Sequence, residues 1–375
     1  MKRLKILSAL LLLIAVTAFT AMRADKLKPA KVVIGYVGGY KGLADLSRLD
    51  PKKLTHINYA FVNVKNNRAF LQREATDTVN LNNLNKLKQQ NPGLKILISI
   101  GGWSWSENFS DAALSDTSRK AFAGSAVQII QKYKLDGVDI DWEYPGIPGE
   151  EGNIYRPEDK QNFTLMLREV RLALDTLEKT TKEKKLLTIA VGGFTNFLNH
   201  TEMGQAQQYL DYVNLMTYDF SNGAVAGHHT NLYDSKQFPG THSGDKSFRE
   251  YVAAGVPADK LVMGIAFYSR AFTLKANAMN GLGDSVLTGR YGKGYTFIKD
   301  SLVNKNGFVA FRDKDAKAPY IFNATTKEYM TYDDEESVKE KCKYVLKNNM
   351  AGVMFWEYAS DPKDYLLNQI NKTLK

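Results

Sequence analysis

Residues Asp136 to Glu143 read D-G-V-D-I-D-W-E. On a β-strand successive side chains alternate faces, so Asp139, Asp141 and Glu143 point one way and Val138, Ile140 and Trp142 the other. In a closed barrel the apolar set packs under surrounding helices. The three carboxyls then project inward and upward, toward the face where barrel active sites lie. Three acids on one buried face are unfavourable without a purpose, because like charges resist joint ionisation. Crowding raises the proton affinity of the set, so at least one carboxyl stays protonated near neutral pH. Glu143 ends the strand nearest the cleft and is the natural general acid. Asp141, one step deeper, can share a proton with Asp139 and swing or relay toward a substrate. The rival use of such carboxylates is a divalent cation. No His or distant acid cluster completes a shell, so neither a metal nor a cofactor is expected.

Working outward, short β-rich runs alternate with longer amphipathic stretches. Strands are expected at Lys31–Val37, Thr55–Val62, Lys95–Ile100, Gly137–Trp142, Leu187–Val191, Tyr212–Met216, Leu261–Ile265 and Gly352–Trp356. Helical patterns cover Ser115–Tyr133, with Ser115 as cap and Asp116 in the first turn, and Arg156–Thr180. Eight strands alternating with helices predict an α/β chain folded as a (β/α)8 TIM barrel over 30–375. An open doubly wound sheet is weakened by the absence of a GxGxxG after the first strand and of a Walker loop. Strand starts Leu261 and Gly352 lie about 90 residues apart, far beyond the usual interval. The excess, 272–331, contains alternating segments of its own and is expected to be a small α+β insertion between strands 7 and 8, on the catalytic side.

Other strand ends converge on the acids. Lys95 to Trp103 reads K-I-L-I-S-I-G-G-W, placing Ser99 inward as a donor to Asp139, with Gly101 and Gly102 allowing close backbone approach. Tyr212 to Phe220 reads Y-V-N-L-M-T-Y-D-F, putting Asn214, Met216 and Tyr218 on one face and Asp219 at the exit. Gly352 to Tyr358 reads G-V-M-F-W-E-Y, leaving Trp356 at the top of the last strand. These motifs resemble the chitinases of glycoside hydrolase family 18. D-G-x-D-x-D-W-E is matched without a departure, as are S-x-G-G, M-T-Y-D and F-W-E-Y. Further similarity lies in I-G-Y at Ile34–Tyr36, Y-A-F at Tyr59–Phe61, G-H-H-T-N-L-Y at Gly227–Tyr233 and F-Y-S-R at Phe267–Arg270. The likeness covers residues 31–375, and the insertion resembles that of bacterial members with deep clefts.

The resemblance implies a secreted chitinase that hydrolyses β-1,4-linked N-acetylglucosamine with retention, the substrate's own acetamido oxygen acting as nucleophile. Glu143 would be the acid and later the base. Asp141 would hold the acetamido N–H, tuned by Asp139 with Tyr36 and Ser99 in support. Tyr218 would donate to the acetamido oxygen. Trp356 would form the floor beneath that sugar, shaped by Met216 and Asp219. Phe61, Gly102, Trp103, Tyr268 and Arg270 would line the cleft. Because His228 and His229 are adjacent, at most one faces it. Two rivals are an endo-β-N-acetylglucosaminidase acting on N-glycans and a chitin-binding lectin of the same fold; lectins of this lineage typically lose the acid, which is present here.

The ends and the composition add bounds. Lys2, Arg3 and Lys5 precede an apolar run from Ile6 to Phe19 and then small residues, the order of a cleaved secretory leader over 1–24. Cys342 is the only cysteine, so no intramolecular disulfide is possible, and the core alone must supply stability. The net charge of +10 is interspersed rather than striped with aromatics, which argues against nucleic acid as a partner. The expected partner is chitin or a chito-oligosaccharide, with no membrane partner and a monomeric, extracellular or periplasmic protein.

Overall fold

The computed structural model describes residues 30–221, 223–238, 240 and 242–375. The leader expected over 1–24 lies outside them. Eight strands run parallel and close on themselves. They are β1 (Val32–Gly38), β2 (His56–Lys65), β4 (Lys95–Gly101), β5 (Gly137–Asp141), β6 (Leu186–Gly192), β7 (Tyr212–Met216), β8 (Leu261–Ala266) and β14 (Gly352–Trp356). Around the ring β1 is flanked by β14 and β2, and β5 lies directly across from β14. A short β3 (Arg68–Phe70) forms an antiparallel hairpin with β2. The closed parallel barrel is the α/β architecture expected from the strand spacing.

Alternation decides which side chain faces where. Along β1, Val33 and Val37 join the main core beneath the helices, while Ile34 and Tyr36 join a second cluster inside the barrel with Ala60, Val262 and Met354. Along β5, Val138 and Ile140 pack outward, followed by Trp142, which stacks on Phe109 at 5.3 Å and meets Phe163 edge-on at 5.8 Å. Burial of such a side chain is worth roughly 1.5–3 kcal/mol. That apolar face anchors the strand and obliges its acids to face inward. Helix Asp116–Lys132 opens at Ser115, whose side chain accepts from Ser118 N while the Ser118 hydroxyl takes the Ser115 N–H, a reciprocal cap.

Between β8 and β14 the chain builds a separate antiparallel sheet in the order β10, β9, β13, β12, β11. Its strands are β9 (Tyr268–Leu274), β10 (Val286–Gly294), β11 (Val309–Asp313), β12 (Ala318–Asn323) and β13 (Glu328–Thr331), with helix Tyr295–Ser301 between the second and third. The sheet begins at Tyr268, ahead of the expected 272, because only Phe267 separates β8 from β9. Cys342 is buried on helix Glu335–Lys347.

Candidate active site

Asp139 sits at the centre of the barrel, fully enclosed. Its Oδ2 accepts from the Tyr36 hydroxyl at 2.9 Å and Ser99 Oγ at 2.8 Å. Its Oδ1 accepts from Thr188 Oγ1 at 2.5 Å and Asn214 Nδ2 at 3.2 Å. Register explains the first neighbours, since Asp139 lies directly beside Ser99 on β4 and Thr188 on β6. Burial raises its pKa, and these four donors pull it back. Ser99 reaches Asp139 as the strand pattern predicts, and Tyr36, named as a supporter by the resemblance alone, does so too; Thr188 escaped that reading, although a lone hydroxyl on an apolar strand was the available signal.

Asp141 differs. It is buried, yet its Oδ1 has no hydrogen-bond partner. Burial, then the charges of Glu143 and Asp139, lift its pKa well above the ordinary carboxyl range. Four other donors fill the oxygens of Asp139, so the proton shared between the two aspartates, expected from spacing alone, is not seen in this arrangement. Glu143 follows the strand end. Burial pushes its pKa up to about 7, against a hydrogen bond from the Tyr144 hydroxyl. The turn beneath it is fixed by Ser106, whose Oγ accepts from Glu143 N at 2.9 Å and donates to Gly102 O at 2.9 Å. Gly101, at φ +108°, could carry no side chain, because a Cβ there would lie 2.3 Å from Asp141 O.

The remaining predicted residues gather around these acids, at distances that differ. Tyr218 is half-buried against the inner cluster near Asp141, Asp219 and Glu143; desolvation first and those charges second raise its pKa, so its hydroxyl stays a proton donor. Phe61 is the unpaired residue at a register shift in β2, where Ala60 pairs with Ser99 and Val62 with Ile100. Such a bulge re-aims a side chain. Phe61 stacks on Trp356 at 5.3 Å, and Tyr36 meets the same ring at 5.8 Å. Met216 packs on this inner cluster. Asp219, at φ +60°, accepts from Arg270 Nε at 2.6 Å and lies 3.5 Å from His229 Nδ1. Partial desolvation works against its charge, but the hydrogen bonds and charges of His229 and Arg270 outweigh it and hold the carboxyl well below the usual range. Tyr268 packs edge-on against Tyr218 at 6.0 Å. Gly102 lies under the Phe61 ring, and Trp103 stands 47% exposed at the rim, edge-on to Tyr144 at 6.3 Å.

The two histidines diverge as adjacency requires: His229 faces Asp219, whereas His228 Nε2 pairs with Asp313 of β11 at 3.2 Å. Among the described residues no group of His, Cys, Asp and Glu is arranged to hold a metal ion, and no helix is long and apolar enough to cross a membrane. Chemically, the site offers a protonated carboxyl, a buried acceptor without a partner, a hydroxyl donor and an aromatic floor.

Known proteins share this arrangement of chain. The description Glycosyl hydrolases family 18 matches residues 32–361. Chitinase A1 of Niallia circulans is 36% identical over 98% of this chain, which spans 62% of that protein's length. Chitotriosidase-1 of Mus musculus is 31% identical over 82% of this chain and 67% of its own. Among solved structures, a family 18 N-acetylglucosaminidase from Paenibacillus barengoltzii superposes with a TM-score of 0.85 at 42% identity, covering 92% of this chain and 99% of that one. Chitinase ChiA74 from Bacillus thuringiensis gives 0.85 at 34% identity, covering 92% and 70%. With the barrel and its acid-bearing strand accounted for, the chain belongs to family 18 of the glycosyl hydrolases.

Proposed function

We propose that this protein is a secreted chitinase-type glycosidase that cleaves β-1,4-linked N-acetylglucosamine with retention and substrate assistance. The observation that carries the reading is the buried, unpartnered Oδ1 of Asp141 beside Glu143, whose pKa is pushed up to about 7. A buried acceptor without a protein partner is matched by an N–H, and the substrate's acetamido group supplies one. Asp141 then orients the acetamido oxygen on the anomeric carbon. Glu143 gives its proton to the glycosidic oxygen as that C–O bond breaks and the acetamido oxygen bonds to C1. The resulting oxazolinium is stabilised by Asp141, and the Tyr218 hydroxyl donates to the acetamido oxygen. Water then attacks C1, passing a proton to Glu143 as the bond between C1 and the acetamido oxygen breaks, which restores the acetamido group and releases the β-anomer. Replacing a bimolecular step by an attached nucleophile lowers the barrier by as much as roughly 7–11 kcal/mol. Trp356 is the floor of the reacting sugar, with Met216, Asp219, Phe61, Gly102, Trp103, Tyr268 and Arg270 as its walls. Asp139, held by Tyr36 and Ser99, sets the charge beneath Asp141.

In this reading residues 1–24 are a leader, 30–375 the catalytic barrel and 272–331 a subdomain walling the cleft, and the protein acts as a monomer outside the cell. Glu143→Gln is expected to cut kcat by about 10²–10⁴ or more while oligosaccharide still binds by calorimetry. Fully deacetylated chitosan is expected to resist the wild-type enzyme, and its cleavage at a normal rate would remove the acetamido nucleophile from the mechanism. A second reading, release of single N-acetylglucosamine units, is favoured by the likeness to the N-acetylglucosaminidase of Paenibacillus barengoltzii. Release of glycans from a high-mannose glycoprotein would instead favour the N-glycan rival, and binding of chito-oligosaccharide without turnover the lectin.

A further inference from the structure

We propose that Tyr40 and Glu357 close the far end of the sugar floor, so that the reacting sugar must be the chain terminus and the product is a single N-acetylglucosamine. The proposal rests on the glycosidase function just given and assigns residues of this chain that would fix its product size. Tyr40 follows the end of β1, where Gly38 carries no side chain; a Cβ there would lie 2.5 Å from the Tyr40 ring and 2.7 Å from Glu357 Oε2. The missing methyl is what lets this ring lie in the barrel mouth. Its plane is within 13° of Trp356 at 6.1 Å between centroids, and within 25° of Phe61 at 6.5 Å. A pyranose held between two aromatic faces needs about 8 Å, two contacts of roughly 4 Å. No sugar fits between any two of these three rings.

The ring is also tethered. The Tyr40 hydroxyl donates to Glu357 Oε2 at 2.8 Å, and Lys41 Nζ lies 3.5 Å from Glu357 Oε1. Glu357 is itself buried on the residue after Trp356. Beside it Tyr291 of β10 stacks on Tyr268 at 4.5 Å. Two groups so constrained do not swing aside for a second sugar at the cost of one rotamer.

Direction follows from the pyranose itself. C1 of the reacting sugar must lie at Glu143, beyond β5, and C4 is at the opposite end of the ring. The strand across the barrel from β5 is β14, so C4 points to Glu357 and Tyr40. A closed end there blocks continuation from O4, the non-reducing side, and presents a carboxylate and a phenol to a free 4-hydroxyl. The aglycon side, toward Tyr144 and the exposed Trp103, stays open.

The test uses reducing-end-labelled chitohexaose and the first products of the wild-type enzyme. Release of N-acetylglucosamine with a labelled pentasaccharide supports the proposal; release of chitobiose, or internal cleavage, overturns it and leaves the hydrolase reading intact. No cleavage of any chito-oligosaccharide sinks both. Tyr40→Ala is expected to shift the ratio of mono- to disaccharide by about tenfold or more toward the disaccharide, and an unchanged ratio counts against Tyr40. Should that variant fold poorly, the same oligosaccharide methylated at its terminal 4-hydroxyl gives the answer on wild type. Loss of cleavage supports the closed end, and cleavage at the uncapped rate overturns it.

Discussion

In the proposed mechanism Glu143 carries the proton on which turnover depends, and its environment fixes the pH at which that proton is present. Burial moves its pKa up to about 7, so the acid form predominates below that pH and is lost above it. The activity profile is therefore expected to fall on its alkaline side with a midpoint near 7, as measured by initial rates on a soluble chito-oligosaccharide. The same shift acts on stability with a defined sign. A carboxyl whose folded pKa is raised above its unfolded value contributes stability that is present below the unfolded pKa and disappears as pH rises through the folded one. Glu143→Gln, which cannot ionise, is thus expected to melt near the wild type at pH 4 and above it at pH 8. A difference in Tm that does not grow across that window would mean the carboxyl is not held in a charge-hostile site.

At the scale of elements, the acid strand works because its neighbours on both sides supply hydroxyls in register. Thr188→Val keeps the shape of β6 and deletes the donor to Asp139 Oδ1 at 2.5 Å. Leaving a buried carboxylate lone pair without its donor costs about 1–3 kcal/mol, and the raised proton affinity of Asp139 beneath Asp141 should lower kcat. Urea unfolding and steady-state kinetics measure the two effects. Most barrel strands were legible in the sequence because each carries one apolar face against helices and a different, inner set of residues; β7 and β14 fall where the alternation puts them. The signal failed at β9 and β10. The first is fused to β8 through Phe267, so no turn marks its start. The second, V-L-T-G-R-Y-G-K-G, is exposed and glycine-rich, and Gly292 and Gly294 have no room for a Cβ against Ser269 and Ser360. Nor did alternation find Tyr40, Glu357 or Ser106. Each lies beyond the end of a strand, where the path of the backbone and not its period sets what a side chain meets.

Across the whole molecule, the second sheet must leave the barrel after β8 and return before β14 without loosening either. A buried ion pair stands at that junction. Lys341 Nζ lies 2.6 Å from Asp333 Oδ2 and 2.6 Å from Thr230 Oγ1, and the same carboxylate accepts from Ala266 N at the end of β8 and from Ser337 Oγ. One charge therefore joins the loop after β7, the last barrel turn before the second sheet, and the helix leading back into β14. Replacing Lys341 with Met would leave Asp333 buried without its cation, at a loss of about 3–5 kcal/mol. The neighbouring Cys342 reports on it. Burial pushes that thiol up to about 12, with Lys341 acting in the opposite sense. Since the thiolate is the reactive form, a thiol reagent at pH 8 should modify the protein only through opening of this helix. Removing Lys341 raises the thiol's pKa further and on that account alone would slow labelling. The opening route predicts the reverse, an acceleration of about 10²–10⁴ for the loss of 3–5 kcal/mol. Lys341→Met labelled at the wild-type rate, with an unchanged urea midpoint, would show that the junction is held by packing and not by this pair.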